Sequence, residues 1–196
     1  MIGVAAFDFD GTMIAGDSFL PFLARAVGLR VFGQAVVVAG PSLLRAFAHG
    51  RRDATKAAML AHLLRGYQHE QLAVLGQAYG RDLADRLRPA MTRRVAWHRA
   101  QGHRLVIVSA SLDVYLAPLA RHLEFDACLA TGLEVDPDGR LTGRLEGLNV
   151  RRAEKSKRLA HWLATALDGR RYELWAYGDS AGDRELLAMA DHPMRV

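Results

Sequence analysis

The sequence predicts an α/β fold: a doubly wound, mainly parallel sheet with an all-helical segment inserted after the first strand. Three observations predict it. Residues 2–7, Ile-Gly-Val-Ala-Ala-Phe, form a near-continuous apolar run, the pattern of a parallel strand covered on both faces. Over residues 16–89 the apolar positions recur only at helical spacing. From residue 90 onward, helical and strand patterns alternate, as they do in successive βαβ units.

The first strand stops at Asp8-Phe9-Asp10-Gly11-Thr12. In an open α/β sheet, ligands bind just beyond the carboxyl ends of the strands. Two acids one residue apart at that edge repel each other, so one must take a proton or both must find a cation. Gly16 reads as a turn and Asp17 or Ser18 as a helix N-cap. Helical patterns follow over 19–27, 31–48, 53–64 and 69–87, punctuated by Gly28, Gly50 and Gly66. The apolar stretch 32–44 is bracketed by Arg30 and Arg45 and interrupted by Gly40-Pro41, which reads as a buried helix with a break.

The second half begins with a helix over 90–101 closed by Gly102. A strand over 104–108 ends at Ser109-Ala110-Ser111, and a helix over 112–122 carries Pro118, which can kink it. A third strand is expected at 125–130. Residues 133–135 and 141–145 flank Pro137-Asp138-Gly139, a hairpin signal. A helix over 154–167 leads to a strand over 172–177, which runs into Gly178-Asp179-Ser180-Ala181-Gly182-Asp183. A short helix over 184–190 and the opening of a further strand at 192–196 complete the chain.

The 196 residues are 51% hydrophobic, which suits one compact core with a sizeable insertion. No uncharged apolar stretch reaches the length of a membrane span, and the N-terminus opens directly on a strand rather than on a targeting segment. A single cysteine, Cys128, excludes an internal disulfide and fits a reducing compartment, so a cytoplasmic location is expected. The net charge of +5 raises the question of nucleic acid. The arginines, however, come in scattered ones and twos without interleaved stacking aromatics, so a small anionic substrate accounts for the charge and no nucleic-acid partner is expected. Eight histidines show no ligand pair on one helix and read as surface or capping groups rather than a zinc site. Trp97, Trp162 and Trp175 read as core or half-buried aromatics, and Cys128 as a small buried hydrophobe.

Four polar stations thus fall along one sheet edge: Asp8/Asp10/Thr12, Ser109, Lys155 and Asp179/Asp183. A phosphate monoester bound there needs hydrogen-bond donors and positive charge for its oxygens. It also needs an in-line nucleophile and a proton for the leaving alkoxide. An aspartate can be that nucleophile, hydroxyls and a lysine can hold the phosphoryl group, and Mg²⁺ suits an acid cluster of oxygen ligands.

The string Asp8-x-Asp10-Gly11-Thr12, followed in order by Ser109, Lys155 and Asp179/Asp183, resembles the four motifs of the haloacid-dehalogenase superfamily. The likeness is to its phosphoserine-phosphatase-like branch (subfamily IB) and covers nearly the whole chain. It implies a Rossmann-like catalytic core at residues 1–15 and 90–196, with a helical C1-type cap at 16–89. It also implies a Mg²⁺-dependent hydrolase of a small phosphorylated metabolite, phosphoserine or another amino-acid or amino-alcohol phosphate, acting through an aspartyl-phosphate. Asp8 would be the nucleophile and Asp10 the general acid and then base. Thr12, Ser109 and Lys155 would hold phosphate, with Lys157 the alternative to Lys155. Asp8, Asp179 and the Asp10 carbonyl would ligate the metal, with Asp183 behind them. Asp17 falls where the branch places a glutamate for the substrate amine, and Lys56 near its carboxylate-binding arginine. The chain departs from the branch at Gly11, at Ser180-Ala181-Gly182, and in the further strand and helix expected after residue 196. The same residue types also serve a phospho-acceptor signalling domain or a phosphotransferase; the inserted helices and Asp10 favour the hydrolase.

Overall fold

A computed structural model describes residues 1–37 and 52–196. Its sheet has six strands: β1 (Ile2–Phe7), β2 (Arg104–Leu112), β3 (Ala127–Val135), β4 (Leu141–Glu146), β5 (Tyr172–Gly178) and β6 (His192–Arg195). Their order is β4-β3-β2-β1-β5-β6, and every pairing is parallel except β3 with β4. The fold is therefore the doubly wound α/β sheet that the sequence predicts, with β1 at its centre. Register explains the site. Phe7 pairs with both Ile107 and Tyr177, so the chain leaves β1 and β5 at nearly one level, while β2 runs on past them.

The strands bury alternate residues on two faces. Ala5, Phe7, Leu105 and Ile107 belong to one apolar cluster; Val4, Ala6, Val106 and Val108 belong to another, with Leu159 and Leu163. The first is covered by α5 (Pro89–Ala100) and α6 (Asp113–His122), the second by α7 (Ala153–Ala166) and α8 (Arg184–Ala188). Between β1 and α5 the described residues form α1 (Phe19–Val27), α2 (Leu29–Val37), α3 (Arg52–Leu63) and α4 (His69–Ala84). They contain no strand of the central sheet. The helix expected over 31–48 lies outside the described residues beyond Val37. Gly28 takes φ 84°, and α2 turns off α1 at 118° there. Among the described residues no single helix is long and apolar enough to cross a membrane.

Two expectations about β2 and β3 are corrected. The strand expected at 104–108 runs on through Ser109-Ala110-Ser111 to Leu112, with a register shift after Val108. The strand expected at 125–130 and the first arm of the hairpin are one strand, β3. Its first half pairs parallel with β2 and its second half antiparallel with β4. Thr131-Gly132 lies at the handover, and Gly132 does not end the strand. The hairpin at Pro137-Asp138-Gly139 forms, with Gly139 at φ 76°.

The histidines also depart from expectation. His98 on α5 is fully buried, because both ring nitrogens find partners: Tyr177 Oη at 2.8 Å and His103 Nδ1 at 2.8 Å. Burial, and then the neighbouring His103 and Arg94, push its pKa down from 6.5 to about 4. His98 therefore stays neutral in the fold while it protonates in the unfolded chain below 6.5. Stability is lost as pH falls from there towards 4, at about 1.4 kcal/mol per unit. His98→Phe removes two hydrogen bonds and is destabilising at about pH 8. Its deficit against wild type should shrink by about 3 kcal/mol at about pH 4, measured by urea unfolding. A deficit that does not change with pH would mean that His98 is not held neutral.

Candidate active site

Asp8 follows the last residue of β1 and is 5% exposed. Its backbone N–H donates to Tyr177 O at 2.9 Å, which locks the exit of β1 to β5. Lys155, in the first turn of α7, is 3% exposed and donates its ammonium to both Asp8 Oδ1 and Asp183 Oδ1. Lys157 lies on the exposed face of α7. Thr12 is fully buried and donates Oγ1 to Asp8 Oδ2 at 3.4 Å. It braces Asp8 and is absent from the pocket wall, where a phosphate-holding hydroxyl was expected.

Asp183 is fully buried at the end of the short turn after β5. Its Oδ2 accepts from Ser180 N at 3.1 Å and Ser180 Oγ at 2.8 Å, so Ser180 holds this acid in place. Asp8, Asp179 and Asp183 each offer a carboxylate oxygen, and these lie within 4.8 Å of one another. Burial pushes Asp8 up to about 7, and Lys155 only partly offsets it. Burial also raises Asp179, with the Asp183 charge adding to it. For Asp183 burial works upward, but Lys155 and Ser180 outweigh it and hold the pKa low. Burial works against the Lys155 ammonium too, and its two carboxylates outweigh that and raise it. Three crowded acids with one ammonium leave an excess of negative charge, so this donor set fits a hard divalent cation. The Asp10 carboxylate is not part of that group.

Gly11 sits at φ 79°, and a Cβ there would overlap Asp179 Oδ2. A side chain at this position would strain the backbone and displace a carboxylate. Were Asp179 a ligand of Mg²⁺, Gly11→Ala would raise the Mg²⁺ concentration for half-maximal activity by about tenfold or more. Titrating activity with Mg²⁺ checks this, and an unchanged requirement would detach Asp179 from the metal.

Asp10 faces the pocket from the other side. Oδ1 accepts from Ser18 N at 3.0 Å, and Ser111 Oγ donates to Oδ2. Burial raises its pKa to about 6, partly offset by the Ser111 and Ser18 hydrogen bonds. Ser109 is buried in the pocket wall, its Oγ accepting from Ser111 N at 3.1 Å. The pocket has a volume of about 380 Å³, within the range of small-molecule sites. Asp17 and Lys56 also line it, with Asp53, Phe19 and Asn149. Asp17 is exposed and caps α1 by accepting from Leu20 N at 2.8 Å. Lys56 donates to Ala110 O and, at 3.0 Å, to Asn149 Oδ1. Burial lowers its pKa to about 8. Asn149 Nδ2 in turn donates to Asp53 Oδ1 at 2.6 Å, closing α3 onto the sheet edge. Sequence reasoning singled out neither Asn149 nor Ser111 as a site residue. Ser111 carried a signal, one alternation beyond Ser109; Asn149 sits in a loop and carried none.

Residues 5–188 match the model of the haloacid dehalogenase-like hydrolases. The chain belongs to that family. It is 38% identical over 189 residues to Protein CicA of Caulobacter vibrioides, covering 96% of this chain and 83% of that one. It is 26% identical over 205 residues to a histidinol-phosphatase of Neisseria meningitidis, covering 100% and 90%. A Bordetella pertussis protein of unknown function superposes with a TM-score of 0.82 at 29% identity, over 99% of this chain and 89% of that one. A phosphoserine phosphatase captured as a phospho-aspartyl intermediate analogue shares the fold, with a TM-score of 0.66 at 21% identity over 96% and 83%. The chain is thus a haloacid dehalogenase-like hydrolase, and it shares its fold with the phosphoserine phosphatases.

Proposed function

We propose that this hydrolase removes phosphate from a small, amine-bearing metabolite through an aspartyl-phosphate on Asp8. The observation that carries the reading is the grip of Lys155 on Asp8 and Asp183 beneath the pocket, with Asp10 on the opposite wall. Asp8 attacks phosphorus while the bond to the leaving oxygen breaks. Asp10, its pKa lifted by burial, protonates that oxygen and then takes a proton from the water that cleaves the acyl phosphate. Ser109 and the N–H groups beside it hold phosphoryl oxygens, and Thr12 keeps Asp8 aimed. Asp8, Asp179 and the Asp10 carbonyl would hold Mg²⁺, with Asp183 bracing Lys155. The ion offsets the repulsion between a carboxylate and a phosphate.

The pocket's wall supports the substrate class. Asp17 and Asp53 line it, each with one carboxylate oxygen engaged, by Leu20 N and by Asn149 Nδ2, and the Lys56 ammonium serves Ala110 O and Asn149. A substrate end with an amine fits the two carboxylates, and Arg151, which also lines the pocket, can meet an added carboxylate. The name of the Neisseria relative agrees with the amine. We assign residues 1–15 and 90–196 to the catalytic core and 16–89 to a cap that supplies Asp17, Asp53 and Lys56. The unpaired Cys128 supports a reducing, cytoplasmic setting.

The test is phosphate release from O-phosphoethanolamine, histidinol phosphate, phosphoserine and p-nitrophenyl phosphate, with Mg²⁺ and after chelation. The reading expects metal-dependent turnover, fastest on the amine-bearing esters. A phosphoprotein that forms but does not turn over would identify a phospho-acceptor domain. Transfer to an added alcohol in place of water would identify a phosphotransferase.

A further inference from the structure

A chain of hydroxyls stands behind Asp10. Ser111 Oγ, which donates to Asp10 Oδ2, lies 3.1 Å from Ser18 Oγ, and Ser18 Oγ lies 3.0 Å from Tyr115 Oη. Tyr79 Oη donates to the Ser18 carbonyl at 2.9 Å. Ser18 and Tyr115 are fully buried and Ser111 is 3% exposed. Each hydroxyl has one hydrogen, so donation to Asp10 sets the polarity of the whole row. Ser111 gives its hydrogen to Asp10 and must accept from Ser18, and Ser18 must accept from Tyr115. Burial and the charge of Asp10 raise the Tyr115 pKa, so this phenol keeps its hydrogen and ends the row as a donor.

The row joins four separate parts of the fold: the start of α1 (Ser18), the end of β2 (Ser111), α6 (Tyr115) and α4 (Tyr79). We propose that Ser111, Ser18 and Tyr115 are positioning residues that fix the Asp10 carboxyl in the orientation from which it protonates the leaving oxygen. Tyr79 ties that orientation to α4. Ser111 Oγ and Ser18 N take one carboxylate oxygen each, so the carboxyl cannot rotate about its Cβ–Cγ bond without breaking a buried hydrogen bond. The inference rests on the assignment of Asp10 as general acid, and the experiment separates the two.

The experiment measures kcat and KM on O-phosphoethanolamine, a poor leaving group, and on p-nitrophenyl phosphate, an activated one. The variants are Asp10→Asn, Ser111→Ala, Ser111→Thr and Tyr115→Phe. General-acid catalysis contributes about 10²–10⁴-fold where the departing alkoxide is basic. Asp10→Asn should therefore lower the alkyl-to-aryl turnover ratio by about 10²-fold or more. Ser111→Ala should lower that ratio by about tenfold and Tyr115→Phe by about threefold, with KM little changed and Ser111→Thr restoring most of the loss. Tyr115→Phe is nearly isosteric, so it still decides the matter if Ser111→Ala does not fold. If Asp10→Asn lowers the ratio while Ser111→Ala and Tyr115→Phe slow both substrates equally, the positioning role is wrong and the acid assignment stands. If Asp10→Asn leaves the ratio unchanged, both fall.

Discussion

Asp8→Asn should abolish turnover, by about 10⁴-fold or more, without unfolding the protein. An amide oxygen is too weak a nucleophile to attack phosphorus, and no second carboxylate shares the position of Asp8 against Lys155. Asp10 points to Ser18 and Ser111 on the far wall, and Asp183 is committed to Lys155 and Ser180. The effect on stability should be small by comparison. Asp8 is a buried acid whose charged form is disfavoured by desolvation and by the Asp183 charge. The asparagine keeps its volume, and Lys155 keeps Asp183 as a partner. In chelator, Asp8→Asn should therefore unfold no more than about 1 kcal/mol below wild type. Phosphate release and denaturant unfolding on the same preparation check both halves. Turnover within an order of magnitude of wild type would remove Asp8 as nucleophile.

The first strand and its carboxyl end were legible because local pattern and chemistry coincide there. Apolar residues run without a break into Asp8-x-Asp10, and the structure places those acids where the run stops. Lys155 was legible from the spacing of its own helix, with Leu159 buried one turn on. What the residues could not show was tertiary. Gly76 and Gly80 look like weak points in a helical pattern, yet a Cβ on either would strike a backbone carbonyl of α6, at Val114 and Tyr115. They allow α4 to lie directly on α6. The Ser18–Ser111–Tyr115 row is hidden in the same way, since Ser18 lies 93 positions from Ser111 and 97 from Tyr115 and no periodicity links it to them. Asp17 and Lys56 were found as charges near the cap mouth. Their bonds to Leu20 N, Ala110 O and Asn149 were not, because a single sequence does not say which polar groups are already paired. His98 failed for a related reason: a histidine becomes a core residue when both nitrogens meet partners, and its partners arrive from β5 and from the start of β2.

Lys155→Met should be the most destabilising change in the site. The methionine matches the length of the lysine stem but leaves Asp8 and Asp183 facing each other, both buried and without a cation. Breaking a buried ion pair in this way costs about 3–5 kcal/mol, because the surviving charge keeps its desolvation penalty. The loss measured in chelator should be in that range. Mg²⁺ should recover part of it, since a divalent ion bound by Asp8 and Asp179 relieves the acids that the lysine no longer serves. Activity should not return with stability: the phosphoryl group would still lack the cation that holds it from the side of α7. A double-mutant cycle with Asp8→Asn separates the pair from its surroundings. With the Asp8 charge gone, Lys155→Met should cost less by about 1–3 kcal/mol, and the difference is the coupling across the ion pair. Equal costs in the two backgrounds would mean that the lysine is held by Asp183 alone, and that Asp8 reaches its position through β1, Tyr177 O and Thr12 without it.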